Sequence, residues 1–484
     1  MSKLERVRPE DVGISPSDIL KWLEALNQTG FITHHLMLLR YGKVAFEVHY
    51  SPFRSDVKHY LCSCSKSFTA IATGFAIAEG LTFLDEHIVD IFPDKLDGQP
   101  HEYIAAMTVR HLLVMSTVYG DVHEPETNDW THEFLNGVPD HYPGTVFGYD
   151  SIGTHVLCDI IQLRSKKTVQ EFLTPRLFKP LGIDDDDIFW KFNPGGVNHG
   201  GGGLSLTPEA MAKFGQLLLN DGKWNGKQIL PAGWVDEATS GHVSCITCDG
   251  TYKDFYGYKF WRTQDNGYAC LGLAGQVILV HPDKEIVFVG AANGFQTDYH
   301  YFHKTYFWQY IYPKINDKSI TYENENYKKL IEKTRFPEVF LPAGKKTSPM
   351  AKQVSGQIYS VNENKLLCNK FWLDLNEKEG TLHLKLKKQT IKIPFGFGYH
   401  KIGDTALNDF ALKTTQAGEA YPNGSGAAGV WVDERTLVIQ SHVIDTLQYF
   451  IITCHFGEKA VVLQIRPYGV YSFDVFPCSL TYMI

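Results

Sequence analysis

Residues 63 to 86 read Ser63-Cys64-Ser65-Lys66 and then SFTAIATGFAIAEGLTFLDE. From Ser67 to Ala78 the segment is apolar nearly all round, which predicts a helix buried in the middle of a domain. Lys66 is the only charge on that helix before Glu79. A buried ammonium is costly unless it is paired or neutralised, and desolvation lowers a lysine's pKa, so such a lysine can serve as a base near neutral pH. Ser63, three residues earlier, lies on nearly the same helical face. A serine at a helix N-terminus also sets its own backbone N–H beside a developing oxyanion. The pair therefore reads as nucleophile and base. The same residues also read as a Ser63 N-cap with Lys66 reaching out to water. A tetrapeptide S-x-x-K arises by chance in a chain of this length, and Ser55-Asp56-Val57-Lys58 is a second copy. That copy follows Pro52 in a polar stretch without helical period, so the helix context selects Ser63 and Lys66.

Outward from this helix the pattern alternates between strand and helix. HHLMLLRYGKVAFEVHY, residues 34 to 50, holds two apolar runs around Tyr41-Gly42-Lys43 and predicts a hairpin. QVILVHPDKEIVFVGAAN, residues 276 to 293, predicts a second, turning at His281-Pro282-Asp283-Lys284. Between them, Thr207-Pro208-Glu209 begins another helix with an N-cap and a proline at its first position, and Gly222 stops it. The two distant hairpins are expected to share one sheet with helices covering it. A charged helical stretch, 323 to 334, leads into a linker rich in Pro, Gly and Lys at 336–349. Residues 350–484 then show repeated short strands, such as GTLHLKLKKQTIKI and GVWVDERTLVIQ, and predict an antiparallel barrel or sandwich.

The chain has 484 residues, 44% of them hydrophobic and 21% charged, with a formal net charge of -8. This composition suits a globular protein of two or three structural units. It leaves no basic footprint for nucleic acid or an anionic membrane, so a small molecule is the expected partner. No apolar run approaches the roughly 18 residues of a membrane span, and the N-terminus shows no secretory signal, which points to a cytoplasmic protein. The nine cysteines are odd in number and irregularly spaced, as free thiols in a reducing compartment would be. Cys245-x-x-Cys248 lacks the second ligand pair a zinc site needs.

SKSFTAIATGFAIAEGLTFLDE resembles the nucleophile helix of the serine β-lactamase and penicillin-binding-protein superfamily, especially the class C lactamase-related esterase and amidase branches. The resemblance continues through TVRHLLVMSTVYG (108–120), PGTVFGYDSIGTHVL (143–157) and GGGLSLTPEAMAKFGQLLLNDGKWNGKQILP (201–231), and so covers most of residues 7 to 315. It implies an α+β fold: a β-lactamase/transpeptidase-like domain over 1–335, with an antiparallel sheet flanked by helices and an all-helical subdomain, followed by a lipocalin-like barrel or sandwich.

The family's Y-x-N motif corresponds here to Tyr149-Asp150-Ser151, with Ser in place of Asn. The resemblance makes Tyr149 the residue that shares the proton of Lys66 and later protonates the leaving group. The family's K-T-G-like strand has its best match in Cys270-Leu271-Gly272-Leu273-Ala274-Gly275, where the backbone N–H of Leu273 would complete an oxyanion hole with that of Ser63. Loss of the Lys and Thr removes groups that bind a carboxylate, which favours an ester or amide over a β-lactam or D,D-peptide. Asp150, Ser151, His199, Cys270, Gly272 and Gly275 are the further residues expected at the cleft. His199-Gly200-Gly201-Gly202 imitates the oxyanion segment of α/β-hydrolases, but no G-x-S-x-G accompanies it. No cofactor or metal is expected, and the degenerate second and third motifs leave open a silent relative that only binds its ligand.

Overall fold

The two distant hairpins do share a sheet. Strand Ile32–Arg40 pairs antiparallel with Ile286–Asn293 in a register running from Ile32 opposite Asn293 to Arg40 opposite Ile286. The first hairpin turns through Tyr41 and Gly42, both at positive φ. From Lys43–His49 at one edge, the eight strands run through Ile32–Arg40, Ile286–Asn293, Gln276–His281 and Tyr268–Gly272 to three two-residue strands ending at Val243–Ser244. The computed structural model describes residues 3–120, 125, 127–245, 255–294, 302–364, 366–387, 389–404, 424–468 and 478–483.

Helices cover both faces. Helix Pro208–Leu219 starts where Thr207 accepts a hydrogen bond from the Ala210 N–H, and its Phe214 stacks on Phe68 with ring centroids 3.8 Å apart. Phe68 belongs to helix Ser65–Ala78, whose residues from Ser65 to Ala76 are all buried. Packing with helix Ser151–Ser165 and the segments around Leu112 and Phe172, it forms the larger hydrophobic core. A second core on the opposite face of the sheet gathers Trp22, Phe46, Phe288 and Phe307. This is the β-lactamase/transpeptidase-like arrangement, mixed α and β. No helix among the described residues is long and apolar enough to cross a membrane.

Residues beyond 350 form a ten-stranded sheet with its own buried cluster, from Val354 to Leu480. Among the described residues its strand ladders are antiparallel except where Gly396 and Phe397 run parallel to Ala428 and Gly429. The two edge strands of this sheet come back together: the rings of Tyr359 and Tyr482 lie 5.5 Å apart. The sheet is therefore a nearly closed barrel, which shelters its edges.

The segment 336–349 is pinned at both ends. The Ser51 N–H donates to the Pro337 carbonyl and the Val339 N–H donates to the Ser51 carbonyl, while Lys345 and Trp431 exchange a pair of backbone hydrogen bonds. Between the two lobes lies a layer of buried histidines. His34 stacks on Phe53, and Phe53 meets His442 of the barrel edge-on at 5.8 Å. His35 and His49 share a 3.0 Å contact, while the barrel's His400 hydrogen-bonds Glu338. Tyr449 of the barrel is buried within the second core of the N-terminal lobe.

Cys62, Cys64, Cys158, Cys245, Cys270, Cys368 and Cys454 are free thiols. Cys248 of the Cys245-x-x-Cys248 pair lies outside the described residues. Among the described residues no group of three or more His, Cys, Asp or Glu side chains is arranged to hold a metal ion.

Candidate active site

Ser63 stands in a single 3-10 turn, Cys62–Cys64, just before the helix Ser65–Ala78 rather than within it. Cys62 has φ +47°, a left-handed conformation that costs a side-chain-bearing residue energy and turns the chain sharply. Ser65 fastens the turn: its hydroxyl donates to the Cys62 carbonyl at 2.6 Å and accepts from the Leu204 N–H at 3.0 Å. From Leu61 to Ala76, Ser63 alone is not buried.

Lys66 is 1% exposed, so it does not reach out to water. Its Nζ contacts Ser63 Oγ at 2.9 Å, Ser151 Oγ at 3.0 Å and the Gly201 carbonyl at 2.5 Å. An ammonium has three protons for these three oxygens. A neutral amine has two protons and one lone pair. Because the Gly201 carbonyl can only accept and Ser151 can accept, the lone pair is then left for the Ser63 hydroxyl proton. The same set of contacts thus holds the lysine before and after it takes a proton.

Gly201 is the residue that the motif reading missed. Its segment, His199-Gly200-Gly201-Gly202, offers the Gly201 carbonyl as an acceptor to the Lys66 Nζ. A Cβ on Gly201 would sit 2.8 Å from the Ser151 carbonyl oxygen, so only glycine lets this loop approach the start of helix Ser151–Ser165. His199, expected at the cleft or in solvent, is instead buried at 5% exposure against Trp130, ring centroids 5.1 Å apart.

Tyr149 is half-buried, its ring centroid 4.8 Å from Lys66 Nζ, and it stacks on Trp261 at 5.7 Å. Ser151 holds the family asparagine's position and contacts Lys66 directly. Asp150, between them, does not line the cleft: it is 0% exposed and caps the helix, accepting from the Gly153 N–H at 2.8 Å and from Thr117 Oγ1 at 3.0 Å. Its side chain points inward because the cap geometry demands it. Below it lies a second buried lysine, Lys259, also 1% exposed, with φ +64° and Nζ 3.1 Å from Met115 Sδ. Burial pushes the Lys259 pKa well down and the Asp150 pKa up, and each charge partly opposes the other's shift. Lys66 adds a repulsive charge that lowers Lys259 further. Nothing in the local sequence YGYKFW marks Lys259 as interior, since its burial comes entirely from tertiary packing.

The K-T-G-like strand ends beside the turn that carries Ser63. Cys270 is sealed inside, and burial pushes its thiol up to about 12, so it is not a cleft residue. Gly272 lets the strand approach the protein's own backbone instead of a ligand, because a Cβ there would lie 2.3 Å from the Leu61 carbonyl oxygen. Gly275 packs against the Phe31 ring. Leu273 is 39% exposed at the strand end. The Gln276 amide holds its turn, donating to the carbonyls of Leu273 at 3.0 Å and Ala292 at 2.8 Å. The competing copy, Ser55 to Lys58, sits at the surface, where Lys58 Nζ donates to the Asp186 carbonyl.

A serine in the turn that leads into a helix and a buried lysine in that helix's first turn, between a large antiparallel sheet and a helical region, define a β-lactamase-related serine-hydrolase fold. The sequence pattern of the family described as Beta-lactamase matches residues 21–306, and the chain belongs to that family. The 6-aminohexanoate-dimer hydrolase of Paenarthrobacter ureafaciens is 24% identical over 296 residues, 56% of this chain and 75% of the relative. A solved candidate β-lactamase from Bacteroides dorei DSM 17855 is similar in fold, with a TM-score of 0.50 at 17% identity over 58% of this chain and 92% of the other. The octameric penicillin-binding protein homologue from Pyrococcus abyssi has a TM-score of 0.48 at 14% identity, covering 96% of this chain and 99% of its own.

Proposed function

We propose that this chain is a serine hydrolase that cleaves a small ester or amide through an acyl-enzyme on Ser63. The observation that carries the reading is the three-contact seat of Lys66 Nζ, one contact of which is Ser63 Oγ at 2.9 Å. Ser63 Oγ attacks the substrate carbonyl as its proton passes to the Lys66 lone pair. The backbone N–H groups of Ser63 and Leu273 stabilise the oxyanion. The leaving group takes the proton back through Lys66 and Tyr149, and water then releases the acyl group by the same route in reverse.

The missing Lys and Thr beside Cys270 favour an ester or amide without an essential carboxylate over a β-lactam. A relative named as a hydrolase of the 6-aminohexanoate dimer is in keeping with an amide substrate. The test is labelling with an activity-based fluorophosphonate followed by peptide mapping, together with turnover of an ester and amide panel. The expected result is an adduct on Ser63 and no turnover by Ser63→Ala. Labelling elsewhere, or undiminished hydrolysis by Ser63→Ala, overturns the assignment. A protein that binds ligand stoichiometrically yet forms no adduct would be a silent relative.

A further inference from the structure

A turn of the C-terminal barrel reaches the nucleophile. It joins strands Thr436–Val443 and Tyr449–Phe456, and its Leu447 is buried in a small apolar cluster with Cys62 and Ala274, against which Tyr60 also packs. Cys62 immediately precedes Ser63, and Ala274 immediately follows Leu273. Leu447 therefore shares a buried apolar cluster with the neighbours of both residues whose N–H groups would hold the oxyanion.

Both lobes fix this turn. Within the barrel, the Ile444 N–H donates to the Gly424 carbonyl, the Val443 N–H to the Gln448 carbonyl and the Gln448 N–H to Thr446 Oγ1. From the hydrolase lobe, Asn293 Nδ2 donates to the Leu447 carbonyl. Leu447 is 2% exposed, whereas Asp445 and Thr446 are half-exposed at the rim. A side chain held this way is a fixed stop and does not adapt to what binds.

Resting on the Ser63 acyl-enzyme reading, we propose that Leu447 of the barrel is a specificity-determining residue that ends the apolar pocket beside Ser63 and limits the length of the substrate arm lying there. A carbonyl held between the N–H groups of Ser63 and Leu273 would have one substituent running towards Cys62 and Ala274. Leu447 closes that side. The catalytic lobe would then supply the chemistry and the barrel the measure of the substrate.

The experiment uses the full chain and two series of esters, one lengthening the acyl group from acetyl to octanoyl and one lengthening the alcohol. The readout is the ratio of kcat/KM for the long member to that for the short one. Leu447→Ala is expected to raise that ratio in one series by roughly tenfold, since each methylene newly admitted to an apolar pocket is worth about that factor or more. Leu447→Met, which conserves volume, should stay within about twofold of wild type. Leu447→Val takes the place of the alanine variant if the latter does not fold. A leucine that only supported the fold would lower kcat/KM for every ester alike. An unchanged ratio in both series, with Ser63→Ala inactive, overturns this inference and leaves the hydrolase reading standing. Turnover by Ser63→Ala, or none by the wild type, overturns both.

Discussion

Lys259 Nζ and the backbone N–H of Asp150 converge on a single atom, the Met115 sulfur, at 3.1 and 3.3 Å. The Asp150 carboxylate, fully buried, is the charge that partly offsets Lys259. Removing one member of a buried charge pair strands the other, which typically costs about 3 kcal/mol or more, whereas replacing both is often nearly neutral. Lys259→Met removes the charge that opposes the rise of the Asp150 pKa and is therefore expected to destabilise the protein at pH 7. The double variant Asp150→Asn/Lys259→Met should recover most of that loss. Denaturant unfolding of the four members of the cycle measures the coupling, and additive losses would contradict it.

Ser151 accepts one of the lysine's protons, and a hydrogen bond to a charged group is worth about 1.5–3 kcal/mol. Ser151→Ala should lower kcat by roughly tenfold to a hundredfold without moving the site of fluorophosphonate labelling. Ser151→Asn restores an oxygen acceptor and should return activity towards wild type. Steady-state kinetics on one ester distinguishes these outcomes.

Gly201→Ala would place a methyl group 2.8 Å from the Ser151 carbonyl oxygen and push the loop away from Lys66. The expected cost is about 1–3 kcal/mol of stability from overpacking. The loss of kcat/KM should be larger in free-energy terms, because the lysine's shortest contact opens with it. Melting temperature and kinetics measured on the same preparation test this ordering.

The histidine layer predicts acid sensitivity. His59 meets His34 and His35 edge-on in that layer, and burial lowers its pKa to about 4. Burial also takes His35 well below its ordinary value, helped by His49 and His59, and does the same to His442, helped by His400. Each folded-state pKa lies below the unfolded value of about 6.5, so the unfolded chain binds protons more readily. Stability from these groups is fully present above about pH 6.5 and falls as the pH drops towards 4. His59 alone accounts for roughly 3 kcal/mol across that window. His59→Gln should flatten the fall, which unfolding curves between pH 7 and pH 4 would show. His59 Nε2 lies 2.8 Å from Gln276 Oε1, and Gln276 anchors Leu273, so an effect on hydrolysis through this contact should appear only as the pH approaches 4.

The parts of this site that lie within one helical turn were legible in the sequence. Ser63 and Lys66 are three residues apart, and the apolar run after them leaves little doubt about burial. The hairpins and the Thr207 cap were equally readable, because period and cap chemistry are local. What escaped was whatever only tertiary packing decides. Asp150 and Cys270 stand in motif positions but face inward, since a helix cap and a central strand leave their side chains no route to the cleft. Gly201 and Lys259 carry no local signature, and their roles arise from elements distant in the chain. The turn holding Leu447 comes from a lobe that the sequence presents as separate.

The barrel and the hydrolase lobe share His34, Phe53, His442 and Tyr449 in one buried layer. Neither half keeps a finished surface if the other is cut away. Genetically the chain should therefore behave as one unit: a substitution at His400 or His442, far from any reacting atom, would be scored as loss of the enzyme. A transplanted barrel would need to bring its partner's face along with it.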